Sequence, residues 1–279
     1  MPPHRRIQVL GLCRFSYPAN LDAFKTRHTT MDERKANLWS YSRMALRFFW
    51  FENVVLPCLQ AQSDPDFTVL VLTGEDLPRP HLDRLHAVTA ELPQVGIVSR
   101  PGGLRHRPLY REVMKDARDP AADVIAEVKM DDDDGLAMDF VARVRRDFET
   151  VAHIFDETGR MALDYQRGVL LSTRPDGVAV EALLAQYWGA ALVTYLKPGA
   201  RRCTMDFPHR KMWRFMPTLT LQDSPMFIRG DHGGNDSGIS RGHAPKLKGS
   251  EKKLLETLRN RFGVDPDRFK RSWAELKLP

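Results

Sequence analysis

Residues 124–136 read Val-Ile-Ala-Glu-Val-Lys-Met-Asp-Asp-Asp-Asp-Gly-Leu, an apolar run that ends in four consecutive aspartates. Four adjacent carboxylates repel one another unless a cation shares them. Hard oxygen donors of this kind suit Mg²⁺ or Mn²⁺. Asp is also favoured at a helix N-cap and in the first turn, which accounts for one or two of the four. A strand that ends in such a cluster places it outside the carboxyl edge of a sheet, where open α/β sheets bind ligands. The chemistry implied is the holding of a divalent ion at the edge of the sheet where ligands bind.

A second constellation lies late in the chain, Arg229-Gly-Asp-His-Gly-Gly-Asn-Asp-Ser-Gly238. Gly233 and Gly234 allow a ligand close to the backbone. A plain turn favours the same residue types. His209, in Asp206-Phe-Pro-His209, is a second imidazole in the same loop-rich half.

The elements that must carry these groups follow from periodicity. Ile7–Cys13, Phe67–Leu72, Gly96–Val98 and Val124–Met130 read as strands, the second of them apolar enough to be buried on both faces. Between them, Phe48–Gln60, Pro80–Leu92 and Leu109–Arg118 have helical spacing, with Pro57 expected to bend or end the first. Leu136, Phe140, Val144 and Phe148 recur every four residues and predict a helix directly after the aspartates. Strands alternating with helices give an α/β class, a mostly parallel sheet flanked by helices. Beyond residue 150, Met161–Asp164 and Val169–Ser172 are expected to pair as a hairpin. Val180–Trp188 reads as helix and Ala191–Leu196 as strand. Residues 197–245, rich in Pro, Gly and His, read as functional loops. Glu251–Phe262 reads as a helix stopped by Gly263. One domain over residues 1–240 with a basic helical tail over 241–279, packed on it or extending it, is the simplest division.

Composition sets the setting. The chain has 279 residues, with 42% hydrophobic and 28% charged content, as a globular protein has. No run approaches a membrane span, and Ile7–Cys13 lacks a cleavage site, so a cytoplasmic protein is expected. Cys13, Cys58 and Cys203 are too few and too scattered for a zinc site or disulfide framework. The net charge of +6 resides in the tail, which carries 11 Lys/Arg against 5 Asp/Glu from Arg241 onward. Such a tail is expected either to be an ordinary solvated surface or to touch an anionic membrane or substrate. Nucleic acid is not expected, since no recognition motif accompanies the charge.

An apolar strand ending in Asp-X-Asp resembles the signature of GT-A-fold nucleotide-sugar glycosyltransferases. Lys129-Met-Asp-Asp-Asp-Asp-Gly-Leu136 is similar to the Asp-rich motif of the bacterial rhamnosyltransferase family. So are Gly11-Leu-Cys-Arg-Phe-Ser16, Leu59-Gln-Ala-Gln-Ser-Asp-Pro-Asp-Phe67 and His232-Gly-Gly-Asn-Asp-Ser237. The resemblance covers most of residues 7–240. It implies transfer of a sugar from a nucleoside-diphosphate donor to a glycan or lipid-linked hydroxyl, with Mn²⁺ or Mg²⁺ on the diphosphate. It places Asp131 and Asp132 on the donor's ribose or sugar, Asp133 and Asp134 on the metal, and His232 (or His209) beside them. Arg14 and Asp76, with Glu75, follow the first two strands, where such folds put the nucleotide. Arg111, with Arg105 and Arg107, could face phosphate. An inverting enzyme needs a carboxylate base, for which Asp206 and Asp236 are the candidates. Trp188, Trp213 and Phe215 could stack on a sugar, although packing is the commoner use of aromatics.

Two other enzyme classes and a non-enzymatic one use similar residues. A haloacid-dehalogenase-like phosphatase or phosphotransferase has a strand followed by Asp-X-Asp-Gly, which Asp132–Gly135 matches. Its motif is expected near the N-terminus, with a further acidic pair later. A nucleotidyltransferase would show a Gly-rich basic loop after the first strand. A non-catalytic nucleotide-sugar-binding module could keep the fold without turnover.

Overall fold

The computed structural model describes residues 5–23, 29–233, 246–247 and 249–277. Strand β1 (Ile7–Arg14) leads into helices α1 (Met31–Leu38), α2 (Tyr41–Trp50) and α3 (Leu56–Gln60). Then come β2 (Thr68–Gly74), α4 (Arg79–Thr89), β3 (Val95–Arg100), α5 (His106–Asp116), β4 (Val124–Asp131) and the short β5 (Asp134–Leu136). Two helices follow, α6 (Phe140–Phe148) and α7 (Ala152–Thr158). They precede β6 (Arg160–Tyr165), β7 (Arg167–Arg174), β8 (Gly177–Leu184), β9 (Leu192–Leu196), β10 (Thr218–Leu221), β11 (Phe227–Asp231) and β12 (Lys246–Leu247). Helices α8 (Glu251–Phe262) and α9 (Pro266–Glu275) complete the described elements.

A seven-stranded sheet runs in the order β10-β6-β9-β4-β1-β2-β3. β1 through β4 pair in parallel, and β9 joins β4 antiparallel. Alternation along β1 sends Leu10 and Leu12 to the face covered by Leu109, Tyr110 and Val113 of α5. It sends Ile7, Val9 and Cys13 to the opposite face, with Phe48 and Phe51, Leu85 of α4 and Phe140 and Val144 of α6. The sheet is therefore covered on both faces, and its class is the α/β one expected. A second sheet, β12-β8-β7-β11-β5, brings late strands back to the aspartate turn.

Several local expectations are corrected. Helix α2 starts earlier than Phe48 and runs into α3 through a π turn over Phe51–Val55. Pro57 sits in the first turn of α3 and ends nothing; the widened turn before it accommodates a residue with no N–H. Leu136 belongs to β5, so a strand separates the aspartates from α6. The β6–β7 hairpin does not form, because both strands extend until only Gln166 lies between them. One residue is too few for a hairpin loop, and the two strands go to different sheets. Val180–Trp188 is not helix: β8 pairs antiparallel with β7 from Arg174 opposite Gly177. The turn residues Pro175-Asp176-Gly177 carried that signal.

The tail packs by its apolar stripe. Leu254, Leu258 and Phe262 of α8 are buried, and Gly263 (φ 69°) supplies the left-handed stop. Phe269 of α9 lies 4.9 Å from Phe49 and 5.1 Å from Trp50, ring centre to ring centre. Leu258, Phe262 and Phe269 thus share one core with β1 and β4. All three cysteines are buried thiols. Among the described residues, no helix is long and apolar enough to cross a membrane.

Candidate active site

Strand register explains which cations meet the aspartates. Parallel pairing of β1 with β4 sets Arg14 opposite Asp131, and the Arg14 guanidinium reaches that carboxylate. Antiparallel pairing of β11 with β5 sets Arg229 opposite Asp134. Arg229 Nη1 then lies 2.7 Å from Asp134 Oδ1, 3.3 Å from Asp131 Oδ2 and 3.5 Å from Asp133 Oδ1. Gly230 lets β11 come this close, since a Cβ there would sit 2.7 Å from the Asp133 backbone oxygen. Asp134 folds back within the turn, accepting the Asp131 N–H at 3.0 Å. Asp132 instead takes the guanidinium of Arg47, delivered by α2. His232 follows β11, with Nε2 3.3 Å from Asp133 Oδ2 and its ring 5.5 Å from that of Trp50.

Asp132, Asp133 and Asp134 are buried, at 3–4% exposure each. Burial alone would neutralise them. For Asp131 that push is outweighed by Arg14 and then Arg229, which hold its carboxyl well below the usual range. Asp133 is also held below it, burial being overcome by Arg229 and the hydrogen bond to His232. Burial wins at Asp132 against Arg47, raising its carboxyl. Asp134 is pushed up to about 7, first by burial and then by its anionic neighbours against the pull of Arg229. The cluster carries more negative charge than it can spread comfortably, even with three arginines on it.

Oxygens of Asp131, Asp133 and Asp134 lie within 4.8 Å of one another. Metal–oxygen bonds of about 2.0–2.6 Å span such a set, and all the donors are hard. The three carboxylates therefore fit a divalent ion. Asp132 stands outside the set.

The other sequence candidates fall in different places. Asp76, beyond the end of β2, pairs with Lys35 of α1, and Glu75 beside it is exposed. Arg111 and Asp206 find each other, Nε–Oδ2 at 2.9 Å and Nη2–Oδ1 at 2.6 Å. The Asp206 carboxylate also accepts the Cys203 N–H, and these bonds outweigh burial to keep it ionised. His209 contacts the Tyr187 carbonyl through Nδ1; burial and then Lys129 lower it to about 4, so it is neutral. Arg105 and Arg107 are exposed at the start of α5. Trp188 and Phe215 are half-buried, while Trp213 is exposed. Asp236, Gly234 and the rest of that loop through Gly238 lie outside the described residues.

Arg47 and Arg229 were not singled out from sequence. A signal existed for each. Arg47 directly precedes Phe48-Phe-Trp-Phe51, and a charge beside so apolar a run needs a buried partner. Arg229 heads the late constellation, but it reads as loop until β11 is known.

The fold and the cluster define a class: an α/β protein whose central strand ends in carboxylates close enough to share a cation. The chain belongs to the family described as putative rhamnosyl transferase, a glycosyltransferase family, whose model matches residues 8–244. No curated protein matches its sequence. Among solved structures, S. aureus TarS 1–349 in complex with UDP-GlcNAc is similar at 11% identity and a TM-score of 0.41, covering 97% of this chain and 71% of that one. The same protein with UDP gives 11% identity, 81% and 60% coverage and a TM-score of 0.39. A glucose-1-phosphate thymidylyltransferase from Bacillus anthracis gives 11% identity, 79% and 88% coverage and 0.35. These likenesses are distant, and nothing about this chain's ligands follows from them.

Proposed function

We propose that this chain transfers a sugar from a nucleoside diphosphate to a hydroxyl of a glycan or lipid-linked acceptor. Rhamnose is the sugar that the family's description suggests. The observation that carries the reading is the set of three carboxylates from one strand end, close enough to share a cation, in a chain of this family. Asp131, Asp133 and Asp134 would hold Mn²⁺ or Mg²⁺, with His232 orienting Asp133 or joining the set. When bound, that ion supplies Lewis-acid neutralisation of the diphosphate as the glycosyl bond breaks.

The chain's own cations fit the same task. Arg229 already touches the three carboxylates and can take part of the leaving group's charge. Arg14 at the end of β1 and Asp76 beyond β2 are our candidates for the nucleotide. Asp132, tied to Arg47, would position the turn. An inverting transfer needs a base for the acceptor proton, and Asp206 is occupied by Arg111. Asp236 keeps that role by elimination among the two sequence candidates. The phosphatase reading gains no support from the family match, and the pairing of Asp132 with Arg47 ties up the carboxylate that reading would use as nucleophile.

The test is a panel of uridine, thymidine and guanosine diphosphate sugars offered with Mn²⁺. Slow release of the nucleoside diphosphate from one class of donor, lost on chelation, is expected. Orthophosphate release from simple phosphate esters, with every donor left intact, would overturn the reading.

A further inference from the structure

Residues 197–217 join β9 to β10, with Cys203 and Met205 packed in the cluster that α5 forms on the sheet. The stretch is fastened at several points. The Arg118 guanidinium donates to the carbonyls of Ala200 and Arg202, each at 2.7 Å. Asp206 is gripped by Arg111 of α5. Phe207, Met212 and Met216 are buried against Leu192 and Leu196. A loop held this way presents a fixed outer surface.

Between residues 201 and 214 the exposed side chains include Arg201, Arg202, Arg210, Lys211, Trp213 and Arg214. Trp213 is 56% exposed, and the Arg214 guanidinium lies 5.0 Å from its ring centre. Asp206 is the stretch's sole carboxylate, and it is turned inward. Among the described residues, none of these five cations pairs with a carboxylate. The basic tail shares the exposed charge but lacks the aromatic: Arg259, Arg261 and Lys270 are paired there, Lys252, Lys253, Arg268 and Arg271 are exposed, and Trp273 is half-buried with its indole N–H spent on the Arg174 carbonyl. At His209 the stretch also passes near the aspartate end of β4, since Lys129 and Asp131 both act on that imidazole. A Cβ on Gly189 would lie 3.7 Å from His209 Nδ1 and 2.9 Å from Lys129 Cε, two residues before Asp131.

We propose that residues 201–214 are a docking surface for an anionic lipid bilayer. Trp213 enters the headgroup level, and the five cations face anionic headgroups. Tryptophan is the residue that membrane–water interfaces select, apolar in body with one polar N–H. Each basic side chain at an anionic leaflet adds attraction, and the pairing of such charge with an apolar anchor holds a protein that neither would hold alone. Docking here brings the aspartate end of β4 toward the bilayer, where a lipid-linked acceptor would be met. That last consequence rests on the proposed transfer; the docking does not.

The experiment uses the full chain with vesicles of phosphatidylcholine alone or mixed with phosphatidylglycerol, and no donor. Wild type sediments with the anionic vesicles at low salt and is released as salt rises. The triple variant Arg210→Gln, Lys211→Gln, Arg214→Gln loses about tenfold or more in partitioning, while Lys252→Gln with Lys253→Gln in α8 does not. Brominated lipid quenches wild-type tryptophan fluorescence, and Trp213→Phe abolishes that quenching. All substituted side chains are exposed, and unchanged urea unfolding certifies each fold. Equal binding to neutral vesicles, full binding by the triple variant, or loss confined to the α8 variant would overturn the proposal. So would binding of inorganic pyrophosphate without vesicle binding. Donor turnover is absent from this assay, so its outcome and that of the transfer test are separate.

Discussion

Arg229 and Asp134 face each other across β11 and β5, and this pair decides how the aspartates behave without a metal. A guanidinium in contact with Asp131, Asp133 and Asp134 occupies part of the space a divalent ion would share. Arg229→Met leaves buried carboxylates without their cation. Removing one partner of a buried pair costs about 3–5 kcal/mol, so the variant should melt well below wild type in chelator. Mn²⁺ should restore more stability to it than to wild type, about 2.7 kcal/mol at a hundredfold excess over Kd. Differential scanning calorimetry with and without Mn²⁺ reads both quantities. A variant that melts like wild type in both conditions would show that Arg229 does not compensate the cluster. The aspartates themselves were legible in sequence, because a run of like charge at the end of an apolar strand calls for a cation. Their arginine partners were not, since contacts across 85 to 117 residues of chain depend on register that one strand does not reveal.

At the scale of elements, the alternation of strands and helices through residue 150 was legible because the parallel strands are apolar and the helices between them are periodic. What was missed depended on pairing. β8 resembles helix until β7 lies beside it, and β5 is too short to show a period. The passage from β6 to β7 also explains a titration. Asp164 accepts the Tyr187 N–H at 3.1 Å and the Gln166 amide at 3.2 Å, yet burial raises it from 3.8 to about 6. The folded state thus keeps this proton to higher pH than the unfolded chain does. Its favourable contribution is complete below pH 4 and is lost as pH rises through 6. Asp164→Asn keeps an acceptor and removes the ionisation. Wild type should therefore lose stability relative to the variant between pH 4 and 7, by up to about 3 kcal/mol at 1.36 kcal/mol per unit. Urea unfolding of both proteins across that range is the measurement, and parallel pH profiles would contradict this role for Asp164.

At the scale of the molecule, two sheets converge on one turn. β4 and β1 bring Asp131 and Arg14 from the large sheet, β5 and β11 bring Asp134 and Arg229 from the small one, and α2 adds Arg47. The tail packs through Phe269 against Phe49 and Trp50 and keeps Lys252, Lys253, Arg268 and Arg271 exposed. The central claim is that this turn holds a divalent ion for a nucleoside diphosphate. Its most direct test is titration calorimetry of the preferred nucleoside diphosphate with Mn²⁺ or with chelator, for wild type and Asp133→Asn. The account predicts tight binding by wild type only when Mn²⁺ is present. It predicts at least about tenfold weaker Mn²⁺-dependent binding by the variant, from loss of one charged ligand, with the fold unchanged by circular dichroism. Equal affinity with and without Mn²⁺, or an Asp133→Asn protein that binds as wild type does, would contradict it.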